Sequence, residues 1–152
     1  MGSADDWAKQ LKQQIDAERR ASDFAAQTTA MNDAIVAEQA PLVWEELCED
    51  FRKHCEAFNR NVKPERELVF HRLGEHDFRV HPDALEDVVV GHYDSETKYV
   101  SIETKNGKEW FIPSAIHSGT GKVVLLSGEP LHEISPESVA RDAIAKGTLR
   151  NL

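Results

Sequence analysis

The spacing of apolar residues along the chain changes near Pro64. Before this point they recur at the three- and four-residue intervals that place side chains on one face of a helix. After it they alternate with polar residues, and β-branched residues become frequent, as is typical of strands. The switch predicts a helical first part and a sheet in most of the remainder. We therefore expect an α+β fold.

The first 40 residues have the composition of a helix. Residues 4–39 contain neither Pro nor Gly and are rich in good helix formers. Trp7, Leu11 and Ile15 repeat every four residues, and a similar face is continued loosely by Phe24, Met31 and Ile35. Polar residues interrupt this series, at Glu18, Ser22 and Thr28, which argues against an autonomous coiled coil. We predict an N-terminal helical arm over residues 1–40, either docked as a long helix or ordering on contact, with the helix favoured.

A second and more strongly patterned helix is predicted after Pro41. Proline is well tolerated in the first turn of a helix, where its missing N–H has no partner to lose. The i, i+3, i+4, i+7 rule is followed by Trp44, Leu47, Cys48, Phe51, Cys55 and Phe58, while the opposite face is charged. Such a stripe of large side chains is expected to lie on a core. The residues from Asn59 to Pro64 are expected to end the helix.

The segment after Pro64 predicts an antiparallel meander of five or six strands, near residues 67–73, 77–81, 86–93, 97–104, 108–113 and 122–127. Asn106-Gly107 suits a two-residue hairpin, which would pair Ile102 with Phe111. A turn over residues 94–97 would set Tyr93 opposite Lys98. Both registers place one set of side chains on a common core face: Val89, Val100, Ile102 and Phe111.

A last helix is predicted to open at Ser135-Pro136-Glu137, which supplies a capping hydroxyl, a first-turn proline and an acid near the positive end of the dipole. Gly147 suggests its end. Its apolar face is Val139, Ala140, Ala143 and Ile144, and we expect it to pack on the sheet beside the helix of residues 44–58. Residues 41–152 are thus predicted to form a single α+β domain.

Charge and composition narrow the choice of partner. The chain has 27 acidic and 18 basic residues, a formal net charge of -9, which argues against nucleic acid as a partner. It contains no run of about 18 apolar residues, so we expect no membrane span. Cys48 and Cys55 fall seven apart in a helical pattern, about 10 Å, beyond disulfide reach. Buried, reduced thiols and a cytoplasmic location are the simplest interpretation.

Two motifs resemble functional sites, a phosphate loop and a metal site, but each lacks part of the residue set that such a site requires. Residues 118–122, Ser-Gly-Thr-Gly-Lys, resemble a phosphate loop but lack its first Gly and its final Ser or Thr, so a tight turn is predicted. His71 and His81 are expected on one face of a hairpin, with Asp77 or His92 as a third metal ligand. Polar residues on an outward sheet face are the preferred interpretation, and we predict neither a metal nor another cofactor.

Two functions remain open. The preferred one is a protein-interaction module, adaptor-like, chaperone-like or homodimerising, which docks through its N-terminal helix at Trp7, Leu11 and Ile15. In size and acidity the chain is similar to small bacterial secretion chaperones, helix-on-sheet proteins that bind client segments. The alternative is a ligand-binding or enzymatic domain with a pocket between sheet and helices, lined by residues such as His71, His81, His92 and Trp110. Because the sequence contains no complete catalytic motif, an enzyme is not the preferred hypothesis.

Overall fold

The computed structural model describes residues 3–82, 86–115 and 122–149. Its elements are a long N-terminal helix, seven antiparallel strands and a C-terminal helix, so the predicted α+β class is confirmed. The chain forms two compact units, Met1–Ala34 and Ile35–Leu152. The turn predicted at residues 118–122 falls mostly outside the described residues.

Helix α1 runs from Ser3 to Val62, and the prediction of a separate helix starting at Pro41 is wrong. Pro41 lies inside the helix, where its ring nitrogen offers no hydrogen bond to the carbonyl of Ala37. Burial of the neighbouring Ala40 and Trp44 offsets that loss by packing. Tertiary contacts therefore override a local helix-breaking signal.

The sheet is a meander in which every strand pairs with its sequence neighbours, in the order β1 to β7. Its strands are β1 Leu68–Arg72, β2 Asp77–Pro82, β3 Val89–Tyr93, β4 Val100–Thr104, β5 Gly107–Ser114, β6 Val124–Ser127 and β7 His132–Ile134. The prediction gave five or six strands and missed β7. With three residues, β7 is too short to show an alternating pattern.

Both predicted hairpin registers are wrong by two residues. Phe111 lies opposite Val100 rather than Ile102, and Val100 lies opposite Tyr93, where Lys98 was expected. Because side chains alternate with a period of two, a two-residue slip returns every side chain to its original face. The predicted core face is therefore confirmed, with all four members buried: Val89, Val100, Ile102 and Phe111.

The turns explain the slip. The Asp94 carboxylate accepts hydrogen bonds from the backbone N–H groups of Thr97 (3.1 Å) and Glu96 (2.8 Å), which holds a loop longer than the predicted one. In the next hairpin Gly107 has φ 122° and pairs with Thr104, so it closes the turn instead of occupying its centre. Side-chain capping and one left-handed residue thus set the register.

An aromatic cluster fills the core between α1 and the sheet. The Trp44 ring stacks on Phe78, with ring centroids 5.4 Å apart, and on Tyr93 at 5.8 Å; Phe51 lies 4.6 Å from Phe78. Trp44 Nε1 donates a hydrogen bond to the Glu75 carbonyl (2.7 Å), which ties the helix to the β1–β2 turn. The predicted helical stripe is confirmed as the core-facing side of α1.

Phe78 requires a glycine on the neighbouring strand. Gly91 pairs with Phe78 across β2 and β3, and the phenyl ring lies over it. A Cβ atom at this position would stand 2.1 Å from Phe78 Cε2, well inside van der Waals contact. The absence of a side chain at Gly91 therefore makes room for the central ring of the core.

Helix α2, Pro136–Thr148, packs on the sheet as predicted. Ser135 is its N-cap, since Ser135 Oγ accepts a hydrogen bond from the Ser138 N–H (3.2 Å). Gly147 does not end the helix: a Cβ there would stand 2.2 Å from Val88 Cγ1, so the glycine permits close packing against the chain before β3. The apolar face is buried as predicted, at Val139, Ala140, Ala143 and Ile144.

Candidate functional site

The N-terminal unit carries a row of exposed apolar side chains, which we call the N-terminal stripe: Trp7, Leu11 and Ile15. Their exposed fractions are 64%, 39% and 40%. Spaced four residues apart on α1, successive members are offset by about 40° around the helix and about 6 Å along it. They therefore form a continuous apolar strip about 12 Å long. Such clusters on a surface commonly mark interaction sites.

The prediction that Phe24 and Met31 continue this stripe is wrong, because α1 is one unbroken helix. Phe24 and Met31 are also exposed. At about 100° per residue, however, Phe24 lies about 140° and Met31 about 160° around the helix from Leu11. Both side chains thus point away from the stripe. The four-residue spacing identified three neighbours correctly and did not extend past Ile15.

The start of α1 is stabilised locally by its own sequence. Asp5 and Asp6 lie in the first turn, where carboxylates interact favourably with the positive end of the helix dipole. The absence of Pro and Gly over the following residues allows an uninterrupted helix. The helix that displays the stripe therefore has sequence support at its first turn, independent of any packing.

The histidine candidates lie on the outer face of the sheet, which we define as the face turned away from α1 and α2. The rings of His71 and His81 are 6.2 Å apart between centroids, so these two do share a face as expected. His92 Nδ1 lies 2.8 Å from Asp77 Oδ1, four residues along β2 from His81, or about 13 Å. The structure therefore separates Asp77 and His92 from His81.

No group of three or more His, Cys, Asp or Glu side chains is arranged to hold a metal ion within the described ranges, 3–82, 86–115 and 122–149. His92 and Asp77 form an exposed polar pair on β3 and β2. Trp110 is likewise exposed on the outer face, next to Lys108, whose Nζ lies 5.5 Å from the indole centroid. None of these histidines, nor Trp110, lines the cavities described next.

Three cavities stand out on the helical side of the described residues. One is an open, mostly apolar groove of about 390 Å³ between α1 and α2, lined by residues that include Phe58 and Ile144. Between the sheet and α2 the gap is about 20 Å³, which is about the size of one water molecule. A larger groove of about 800 Å³ lies at one end of the sheet, where α1 ends and α2 ends. Its lining is mixed, with apolar Phe58 and Leu68 beside the charged Arg66, Asp87 and Lys105. The groove has the volume of a small-molecule site.

The two cysteines are suited to packing. Both are free and buried on the core-facing side of α1. Burial raises the pKa of the Cys48 thiol and of the Cys55 thiol to about 12, so neither forms the reactive thiolate near neutral pH.

A bidentate ion pair fastens α1 to the sheet. Arg72 Nη1 and Nη2 each donate to a carboxylate oxygen of Glu45 at 2.5 Å. Arg72 also donates to the carbonyls of Gly74 and Glu75, both at 2.9 Å. The hydrogen bond from Arg72 lowers the pKa of Glu45. Sequence reasoning missed this pair because the two residues are 27 positions apart in the chain.

No family model, no curated protein and no solved structure matches this chain. Among the helices of the described residues, none is both long enough and apolar enough to cross a lipid bilayer.

Proposed function

We propose that this protein is a protein-interaction module that docks through the N-terminal stripe. The observation that carries the proposal is the exposure of Trp7, Leu11 and Ile15 side by side on a continuous helix. Exposing an indole and two aliphatic chains to water is unfavourable by about 1.5–3 kcal/mol for each fully exposed side chain, so a partner that covers them gains affinity. An amphipathic helix laid on an apolar surface is a common mode of recognition.

The net charge supports a protein partner, and the free cysteines support a cytoplasmic location. A net charge of -9 disfavours the phosphate backbone of nucleic acids. The same charge favours solubility and partners with a basic face. Two free, buried cysteines suit a reducing compartment.

The test compares two sets of exposed apolar residues on the same helix, each changed to Lys. Replacing Trp7, Leu11 and Ile15 together with Lys should abolish binding to co-purifying proteins or to a second copy, measured by affinity capture and by mass in solution. The control changes Phe24 and Met31 to Lys, since both are exposed and lie on the other side of the helix. Equal behaviour of the two variants would refute the proposal.

The groove of about 800 Å³ supports a second candidate, binding of a small ligand. Its charged lining is mixed, with Glu65 and Glu86 beside Arg66 and Lys105, so it offers polar contacts of both signs, and Phe58 offers apolar contact. A metabolite and metal panel followed by thermal unfolding tests it. A ligand that raises the melting temperature of the unaltered chain, and not of Lys105→Glu, would support this function; no shift across the panel would contradict it.

A further inference from the structure

We infer that helix α1 closes the free edge of strand β1 to strand addition, and that the carboxamide of Asn59 does so by taking the place of a neighbouring strand. The residues concerned all lie in the second unit, so strand addition at β1 is a separate matter from docking through the N-terminal stripe. Three observations support the inference: the direction in which the backbone of Leu68 points, the two bonds that Asn59 makes to it, and the charge that α1 carries along the strand.

Strand β1 is an edge of the sheet, because among the described strands it has β2 as its one neighbour. An edge strand presents backbone N–H and C=O groups to which another chain can add a strand. Strand β7, at the opposite end of the sheet, has three residues and offers little length for pairing, whereas β1 has five. Of the two edges, β1 is therefore the one that needs protection.

The backbone groups of Leu68 point toward this free edge. Leu68 lies opposite Pro82 of β2, and a proline has no N–H with which to complete a hydrogen-bonded antiparallel pair. Leu73 donates its N–H to the Asp77 carbonyl (2.9 Å), on the β2 side. Because the bonding direction alternates along an antiparallel strand, residues an odd number of positions before Leu73, such as Leu68 and Phe70, face the edge.

Asn59, in the last turn of α1, bonds to both backbone groups of Leu68. Its Oδ1 accepts a hydrogen bond from the Leu68 N–H (2.8 Å), and its Nδ2 donates one to the Leu68 carbonyl (2.9 Å). A residue of an added antiparallel strand would exchange the same two bonds. A carboxamide has the donor and the acceptor of a peptide group. Asn59 therefore stands where that strand would have to lie.

The same flank of α1 contacts the other end of β1 through the ion pair of Glu45 with Arg72. Glu45 and Asn59 are fourteen residues apart, which places them within about 40° around the helix and about 21 Å along it. From Leu68 to Arg72, β1 is about 13 Å long. This flank of α1 therefore follows the edge of β1 from one end to the other.

Arg52 occupies the middle of this flank, seven residues from Glu45 and seven from Asn59, and about 20° around the helix from each. Its side chain is 44% exposed and forms ion pairs with Glu49 and Glu56. A strand that approached the centre of the edge would have to remove water from these charged groups, which is unfavourable. Charged side chains are one of the means by which proteins protect a free edge.

Amide hydrogen exchange tests the local contact. In Asn59→Ala the Leu68 N–H loses its acceptor, and we expect it to exchange about five- to tenfold faster, the factor that corresponds to one hydrogen bond. The matched control is Asn61→Ala, since Asn61 lies in the same turn and its Nδ2 donates within α1, to the Ala57 carbonyl (2.8 Å). Equal exchange of the Leu68 N–H in the two variants would overturn the inference.

Sedimentation velocity tests what the contact prevents. Over about 1 μM to 1 mM, the range of weak association, we expect Asn59→Ala to form dimers or larger assemblies beyond those of Asn61→Ala and of the unaltered chain. Any association through the N-terminal stripe is common to all three proteins and cancels in this comparison. If Asn59→Ala sediments as the control does, Asn59 does not close the edge and the inference is overturned.

A charge placed on the strand tests the route of assembly. Val69 is exposed on β1, next to Leu68. Lysine on an edge strand opposes pairing, because two copies joined through β1 would bring their added charges together. We expect the double variant Asn59→Ala with Val69→Lys to sediment as the control does. Assembly that persists in the double variant would show growth through another surface and would overturn the inference.

Far-UV circular dichroism checks that the variants fold. Alanine is a stronger helix former than asparagine, so α1 should persist in Asn59→Ala. If the helical signal is lost, Asn59→Ser takes its place in all three measurements. A single hydroxyl cannot exchange both bonds with Leu68, so the same results support or overturn the inference.

Discussion

The two parts of helix α1 have similar apolar patterns, but the apolar residues of the first part are exposed and those of the second part are buried. In residues 3–34 the indole of Trp7 is 64% exposed, and in residues 35–62 the indole of Trp44 is 1% exposed. Each tryptophan is followed four or three residues later by a leucine on the same face, Leu11 or Leu47. Local pattern therefore determines that both segments are helical. It does not determine which apolar face is covered.

The second part of α1 differs in the contacts that it makes with the sheet. Around Trp44 the sheet supplies Phe78 and Tyr93 for stacking and the Glu75 carbonyl for the indole N–H. The second part of α1 is thus held by a core, by a hydrogen bond and by the Glu45–Arg72 pair. In the first part the N-terminal stripe is exposed. Four substitutions can break or sharpen this contrast.

The largest expected effect is loss of the buried indole. Trp44→Ala removes the stacking on Phe78 and one of the two hydrogen bonds to the Glu75 carbonyl, so the free energy of unfolding should fall by about 3–5 kcal/mol. Urea unfolding followed by far-UV circular dichroism measures it without relying on the deleted fluorophore. A loss below about 1 kcal/mol would show that Trp44 does not anchor the core.

The proline inside the helix should give the next largest effect, of opposite sign. Pro41→Ala returns an N–H to the helix, where proline costs up to about 3 kcal/mol relative to alanine. We expect an increase in the free energy of unfolding and slower amide exchange around residue 41. Leu42→Ala, at an exposed neighbouring site, is the control and should change stability by less than about 0.5 kcal/mol. Destabilisation by Pro41→Ala would mean that the helix depends on the proline.

A smaller effect is expected at the exposed ion pair. The pKa of Glu45 is lowered in the folded protein by its hydrogen bond from Arg72, so its contribution is present above the unfolded pKa of about 4.3 and is lost as pH falls through the lower folded value. Because both groups are partly exposed, the contribution is within about 1 kcal/mol.

Glu45→Gln should therefore lower stability at neutral pH and flatten the fall in stability between about pH 5 and 3. Glu46→Gln changes the next exposed carboxylate on α1 and serves as the control for charge. Identical pH profiles for the two variants would show that the pair contributes nothing specific.

The smallest effect is expected at the exposed indole. Trp7→Ala at a concentration where the chain is monomeric should change the free energy of unfolding by less than about 0.5 kcal/mol, because little buried contact is lost. A larger loss would mean that Trp7 packs within the monomer, and the contrast with Trp44 would disappear.

Much of the fold was predictable from local physics. The buried stripe from Trp44 to Cys55, the core face of Val89, Val100, Ile102 and Phe111, and the Ser135 cap follow from side-chain periodicity and from hydrogen-bonding capacity. The registers were not predictable, since the Asp94 carboxylate and Gly107 lengthen or shift their turns. Strand β7, His132–Ile134, was missed because three residues are too few to show an alternating pattern.

The residues of the candidate site were likewise predicted only in part. Sequence spacing brought Trp7, Leu11 and Ile15 together, and His71 with His81, because neighbours along a helix or across a hairpin are set by geometry. It misassigned Phe24 and Met31, since small angular errors accumulate over many residues.

By itself, the sequence determined the helical and extended segments and the side of each that is apolar, because these depend on steric preferences and periodicities within a few residues. Only the tertiary structure decided that Pro41 lies inside a helix and that the ring of Phe78 packs over Gly91. It also decided that Arg72 forms an ion pair with Glu45. Those outcomes depend on residues distant in the chain, whose packing and desolvation energies exceed the local preferences they override.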